Sequence, residues 1–262
     1  GQEKNVVNAA IAKMNLFLHG ASDFNVMQGD TLRDPKILQG GNIAKFDCVI
    51  ANPPFSLENW GATEWSSDKY KRNIYGTPSD SCGDYAWIQH MICSMVSGQG
   101  RMAVVMPQGI LFRNQETEIR KQLVESDLIE AVVTLGDKLF YGTGLSPCFL
   151  IIRRMKPAHH FGRILMIDGS KILTQKRAQN ILEENDIDRL YSLYQNYSDE
   201  EDYSRIVTLQ EIRDKEYNLS PNRYVVYHKE EIRPYAEVLA EFKHAYEEVK
   251  RLEEEFSLLI NA

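Results

Sequence analysis

The sequence predicts an α/β fold, a mainly parallel sheet covered by helices, and three observations predict it. Short apolar runs alternate with helical patterns over the first 135 residues, the order expected of strand, helix, strand units. Arg101 to Met106 and Leu128 to Leu135 are nearly unbroken apolar runs, which suits strands buried on both faces. Gly and Pro mark the junctions, at Gly20, Pro53, Pro54, Gly98 and Gly100, where the chain must turn.

Val7, Ala10, Ile11, Met14 and Leu18 form a helical stripe over residues 5–19, with Gly20 placed to end it, and this helix is expected to pack on the sheet. Phe24 to Gln28 reads as a short strand and Phe46 to Ala51 as the next. A helix from about Asp84 through Val96 precedes the Arg101 strand, and Gln115 to Ser126 is a helix with a charged face. Leu150 to Arg153 and Ile164 to Ile167 are late strands separated by few residues, so at least one is expected to run antiparallel. Beyond Asp168 the pattern turns helical and polar. From Glu230, apolar residues at Ile232, Tyr235, Leu239, Phe242, Tyr246, Val249, Leu252, Phe256 and Leu259 are spaced mostly three and four apart, a coiled-coil seam. A terminal helix folded back on its own domain is one outcome. Docking onto a partner's helices is preferred, because the seam is long for the first. The expected divisions are residues 1–168, a helical and irregular part at 169–229, and a docking helix at 230–262.

Composition narrows the function. Asp and Glu total 37 against 30 Lys and Arg, a net charge of −7. Proteins that grip nucleic acid unaided are usually basic, since phosphate neutralisation supplies most non-specific affinity. Either the substrate is not nucleic acid, or a partner supplies most of the positive surface. No run approaches the roughly 18 apolar residues of a membrane span, and no signal peptide is recognisable, so a cytoplasmic location is expected, with no membrane partner. Cys48, Cys82, Cys93 and Cys148 lack metal-ligand spacing with one another or with the histidines. They are expected to be reduced and mostly buried, and no metal is expected. His159 and His160 are assigned to a solvated loop.

The residues richest in chemistry are Asn52-Pro53-Pro54-Phe55, directly behind the Phe46 to Ala51 strand. Two prolines fix φ near −65° and donate no hydrogen bonds, so the turn holds stiff, outward-facing acceptors. The Asn52 amide oxygen and the Pro53 carbonyl suit the two protons of an exocyclic amine, drawing its lone pair out of ring conjugation, and Phe55 offers a stacking face. This is a site for amine methylation. A rigid turn after a strand would use the same residues, as Pro-Pro pairs do elsewhere.

The chain resembles the amino-methyltransferases, whose tetrapeptide is Asn/Asp-Pro-Pro-Tyr/Phe, and more closely the modification subunits of type I restriction-modification systems. The resemblance runs end to end, through Gly1-Gln2-Glu3, Gly29-Asp30-Thr31-Leu32, Asn52 to Phe55, Leu139-Phe140-Tyr141-Gly142-Thr143-Gly144, Tyr217-Asn218-Leu219-Ser220 and Arg223-Tyr224-Val225. It implies a Rossmann-like methyltransferase sheet with helices on both faces and a helical C-terminal extension. It implies methyl transfer from S-adenosylmethionine to the 6-amino group of adenine in DNA, in a prokaryotic cytoplasm. The implied partners are a specificity subunit that reads the bases and a restriction subunit with nuclease activity. A flipped-out base is required if the target lies in duplex, and no general base is called for, since the amine loses its proton after transfer.

The resemblance also distributes roles. Glu3 is placed to accept from ribose hydroxyls, although its position alone is that of a residue leading a helix. Asp30 is placed to accept from the cofactor's adenine amine, with Thr31 or Leu32 against the ring, although a cap or turn role fits equally. Asn52, Pro53, Pro54 and Phe55 are catalytic. Phe140 and Tyr141 complete an aromatic sandwich around the base or pack internally. From the residues themselves, Ser79 to Asp84, polar and Gly-containing, is expected to form a flexible loop beside the pocket, and Arg72 or Arg113 is expected to meet phosphate. Two features depart from the family: no Gly-rich strand-to-helix turn for the methionine end of the cofactor is present, and the helical N-terminal domain is missing. The chain is therefore expected to be the C-terminal part of a longer subunit, and loss of the strand before its start would leave neighbouring edges unpaired. The alternatives are a methyltransferase acting on a protein glutamine or an RNA guanine amine, and a catalytically inert scaffold.

Overall fold

The computed structural model describes residues 1–141, 143–177, 179–228 and 234–260; Gly142, Glu230 and Ile232 lie outside them. Residues 1–226 form one compact unit and 227–262 a second.

The first unit is built on a six-stranded sheet ordered β10-β9-β7-β8-β6-β5. Its strands are β5 (Cys48–Ala51), β6 (Arg101–Pro107), β7 (Ile129–Leu135), β8 (Pro147–Arg153), β9 (Arg163–Gly169) and β10 (Ser204–Thr208). β5 and β6 run parallel, as do β7 and β9. β8 enters antiparallel between β6 and β7, so the sheet is mixed. The late strand expected to reverse is β8.

β7 is buried along its whole length, and its alternate residues feed two cores. Ile129 and Val132 face a core with Ile88 and Ile92 of α3 (Asp84–Cys93), Leu123 of α4 (Thr117–Glu125) and Ile212 of α6 (Leu209–Asp214). Ala131, Val133 and Leu135 face the other, with Leu190 and Leu193 of α5 (Glu184–Asn196). Helices therefore cover both faces, as the continuous apolar run in β7 requires.

Asp168 is not a boundary. β9 continues to Gly169, and β10 pairs with it antiparallel from Ser204↔Ile167 to Thr208↔Arg163, so the stretch expected to be helical and irregular adds a strand to the same sheet. The block Tyr217 to Val225 is a clasp. Leu219 and Tyr224 are buried, Leu219 N donates to the Leu111 carbonyl, and the buried Arg120 donates to the Tyr217, Arg113 and Ile110 carbonyls. Cys82 and Cys148 are buried free thiols, whereas Cys48 is exposed at the sheet edge. His160 is buried against Tyr197, ring centroids 3.4 Å apart, which corrects its assignment to a solvated loop.

The N-terminal elements stand off this sheet. β1 (Gln2–Glu3) pairs parallel with β2 (Met27–Gln28) in a two-stranded sheet of their own, and β3 (Leu38–Gln39) pairs with β4 (Asn42–Ile43) in a hairpin. Between β1 and β2 runs α1 (Val6–Leu18), capped by the Asn5 carboxamide on the N–H groups of Val7 and Asn8. Of its residues only Ala9 is buried; Val7, Ile11, Met14 and Leu18 are all exposed. The expected packing of this stripe on the sheet is not made by the described residues. β1 and the outer edge of β5 likewise have no ladder partner on their facing sides among the described residues, and Ile50 is 76% exposed.

The second unit is α7 (Tyr235–Ile260), a helix of 26 residues. Tyr235, Phe242, Tyr246, Val249, Leu252 and Phe256 of the seam are exposed, and Phe242 stacks on Tyr246 along it at 6.3 Å.

Candidate active site

A groove of about 1010 Å³ opens between β1 and β5, at the upper end of the size range of small-molecule sites. Gln2 and Glu3 form one wall with Asp30 and Thr31, Cys48 to Ala51 and then Asn52, Pro53 and Pro54 form the other, and Trp87, His90 and Met91 of α3 lie along it.

The Asn52 wall is set by the chain's sharp exit from β5. The strand is anchored by parallel pairing of Ala51 with Val104, and the two prolines stiffen the loop beyond it. Pro53 is buried, while Asn52 is exposed and its carboxamide has no hydrogen-bond partner among the described residues. Beyond Phe55 the turn closes at Ser56, whose φ of 50° lies in the left-handed region that side chains other than Gly, Asn and Asp rarely adopt. Asp84 holds it there. Its Oδ1 accepts the Ser56 N–H at 2.7 Å, and its Oδ2 accepts from Arg113 Nη2 at 2.6 Å and the Cys82 thiol at 3.2 Å. Burial, with the Asp84 charge alongside, pushes Cys82 up to about 11, so this thiol stays protonated.

Phe55 and Phe140 meet edge to face, centroids 6.3 Å apart. Tyr141 is 93% exposed and adds no ring to this pair. None of the three lines the groove itself.

On the other wall, Glu3 accepts the Asn5 N–H at 2.7 Å through Oε1, leaving Oε2 without a partner among the described residues. Asp30 acts as the cap of its own turn: Oδ1 accepts from Leu32 N and Arg33 N, both at 3.1 Å, and Oδ2 pairs with Lys4 at 2.9 Å. Burial works to raise the Asp30 carboxyl, and Lys4 with the two N–H groups more than offsets it, leaving the group below its ordinary value. Thr31 lines the groove, but Leu32 does not: it is buried with Trp60 and with Trp65 of the short helix α2 (Ala62–Ser66), because the Asp30-capped turn directs it inward.

Neither arginine assigned to phosphate is available for it. Arg72 is 1% exposed and bound to Asp68, Thr31 and Leu32, and Arg113 is committed to Asp84 and Glu116. The Ser79 to Asp84 segment is tied in at both ends, by Trp60 Nε1 donating to the Ser79 carbonyl at 2.8 Å and by Asp84. The sequence does not single out Lys4, Asp84 or His90. An Asp opening a helix is the one local signal, and it reads equally as a cap.

The sequence profile of the N-6 DNA Methylase family matches residues 1–232. The chain belongs to this family. It is 36% identical over 269 residues to the methylase subunit of the type I restriction enzyme MjaVII of Methanocaldococcus jannaschii, an alignment covering 97% of this chain and 45% of that protein. The MjaVIII methylase subunit of the same organism is 34% identical over 237 residues, covering 86% of this chain and 40% of that protein. The solved structure of a type I restriction-modification methyltransferase subunit from Streptococcus thermophilus superposes with a TM-score of 0.79 at 29% identity, over 87% of this chain and 48% of that one. This N-6 DNA methylase family member has an α/β sheet with helices on both faces. It spans less than half the length of each of the three.

Proposed function

We propose that this chain carries the target-amine side of a DNA methyltransferase that moves the methyl group of S-adenosylmethionine to the 6-amino group of adenine. We further propose that it does so as the modification subunit of a type I restriction-modification complex. The observation that carries this reading is the Asn52 carboxamide, without a partner among the described residues, at the mouth of a groove, on a turn that two prolines stiffen and Asp84 locks. An amine held by the Asn52 oxygen and the Pro53 carbonyl has both protons engaged, so its lone pair is no longer shared with the ring and is available to the electrophilic methyl carbon of the donor, whose sulfur would leave as a neutral thioether. Phe55, braced by Phe140, supplies an apolar face for the base.

The groove fits the cofactor in volume and in donor set. Glu3 offers a free carboxylate oxygen, and Asp30 and Thr31 offer polar atoms beside it, on the wall opposite Asn52. These residues would hold S-adenosylmethionine, which supplies an electrophilic methyl group when bound. The net charge of −7 fits a subunit that shares its DNA contacts with a basic partner, and the exposed seam of α7 fits helical docking onto a specificity subunit. A restriction subunit would complete the assembly.

The test is label transfer. The complete gene product, isolated with its native partners and given methyl-labelled S-adenosylmethionine and DNA, should yield labelled N6-methyladenine after digestion to nucleosides. Label in cytosine, or in protein or RNA in place of DNA, overturns the reading.

A further inference from the structure

Arg72 lies in the segment after the Asn52 turn, and it is one of the most buried large side chains in the molecule, at 1% exposure. Every one of its five side-chain N–H groups has an acceptor. Nε and Nη2 grip Asp68 Oδ2 and Oδ1 at 3.0 and 2.7 Å, Nη1 donates to the Thr31 carbonyl at 2.9 Å, and Nη2 donates to the Leu32 carbonyl at 2.7 Å. The fifth contact is His90 Nδ1, 3.2 Å from Nη1; an arginine can only donate, so the imidazole accepts there. The guanidinium plane sits over Trp65, 4.5 Å from the ring centroid, with the favourable cation–π geometry.

What this arrangement joins is specific. Within the Asp30 turn, the Asp30 carboxylate takes the Leu32 and Arg33 N–H groups. The Thr31 and Leu32 carbonyls, facing the buried guanidinium, would lack partners without Arg72. The same guanidinium reaches His90 on α3, a groove-lining residue, and Asp68 fixes the fork from behind, also accepting the Arg72 backbone N–H at 2.8 Å. One side chain thus sets the distance between the Asp30–Thr31 wall and α3.

We propose that Arg72 is the positioning residue of the cofactor wall: its guanidinium bridges the Thr31 and Leu32 carbonyls to Asp68 and His90, and so fixes the turn that carries Asp30 and Thr31 in the geometry that binds the adenosine part of S-adenosylmethionine. This rests on the functional reading above. A lysine cannot replace it, because a single ammonium lacks the planar fork that spans two carbonyls and a carboxylate.

The experiment measures S-adenosylmethionine affinity by calorimetry, and KM and kcat for methyl transfer, in the complete gene product with its native partners, for wild type, Arg72→Lys and Asp68→Asn. Arg72→Lys should raise the cofactor Kd and KM about tenfold, a loss of about 1.4 kcal/mol, with kcat at saturating cofactor and the KM for DNA changed less than about twofold. Asp68→Asn, which keeps the shape but weakens the grip on the fork, should give a smaller rise of the same kind and stands in if Arg72→Lys does not fold. Unchanged cofactor affinity in folded variants, or a kcat that falls in step with the folded fraction at constant KM, overturns the inference while leaving the functional reading intact. A wild-type protein that binds no S-adenosylmethionine overturns both.

Discussion

Asp84 carries more of the candidate site's geometry than its place in the sequence suggests. It is fully buried, receives a backbone N–H from the left-handed Ser56, and is neutralised by Arg113. Removing its carboxylate strands the Ser56 N–H and leaves Arg113 with Glu116 alone, at about 1–3 kcal/mol. Asp84→Ala should therefore lower the unfolding free energy measured by urea titration by that order, and Asp84→Asn, which keeps an acceptor for Ser56, by less; equal effects would contradict the role given to the Ser56 contact. His90 gives a pH signature. Burial, reinforced by Arg72, pushes it down to about 3, so it is neutral in the folded chain while it protonates near its ordinary value when unfolded. A depressed histidine binds fewer protons folded than unfolded between those limits, so its contribution is intact above about pH 6.5 and is lost as pH falls towards 3, by at most about 1.4 kcal/mol per pH unit. His90→Gln should flatten the pH dependence of unfolding between about pH 6.5 and 4.5, and an unchanged slope would contradict the assignment. Asn52 to Phe55 is legible in the sequence because its signal is local. Asp84, Arg72 and His90 are not, since the partners that define them lie 28, 41 and 18 residues away, and periodicity carries no information about such pairs.

At the level of elements, periodicity finds most of the sheet. β6, β7 and α3 lie within a few residues of their predicted ranges because continuous apolar runs and Gly stops mark them. β10 escapes it: Ser204-Arg205-Ile206-Val207-Thr208 is a short edge strand inside a polar stretch, and its partner β9 alone makes it a strand. α1 shows the reverse error, a good amphipathic stripe whose packing partner is not among the described residues. The turn between α3 and β6 offers a direct test of packing. A Cβ on Gly100 would come within 2.5 Å of the Val96 carbonyl oxygen and 2.8 Å of Met95 Cβ, contacts with backbone and a buried side chain that cannot yield cheaply. Gly100→Ala should cost about 1–3 kcal/mol of stability by denaturant titration, and a neutral result would show that the α3–β6 junction is looser than described.

The described residues divide into a sheet-built unit, residues 1–226, and a helix with an exposed apolar seam. Deleting residues 234–260 should leave the thermal transition of residues 1–226 in place, since that unit has its own core, while weakening co-purification with a specificity subunit; a deletion that unfolds the first unit would contradict this division. The groove lies between two strand edges that the described residues leave unpaired, a feature that periodicity along the chain does not reveal. Central to the proposed function is that Asn52 engages the target amine and not the cofactor. Its most direct test is Asn52→Ala in the complete gene product, with methyl transfer to adenine and S-adenosylmethionine affinity measured on the same preparation: turnover should fall at least about a hundredfold with cofactor Kd unchanged, whereas a parallel loss of both, or retained turnover, would contradict it.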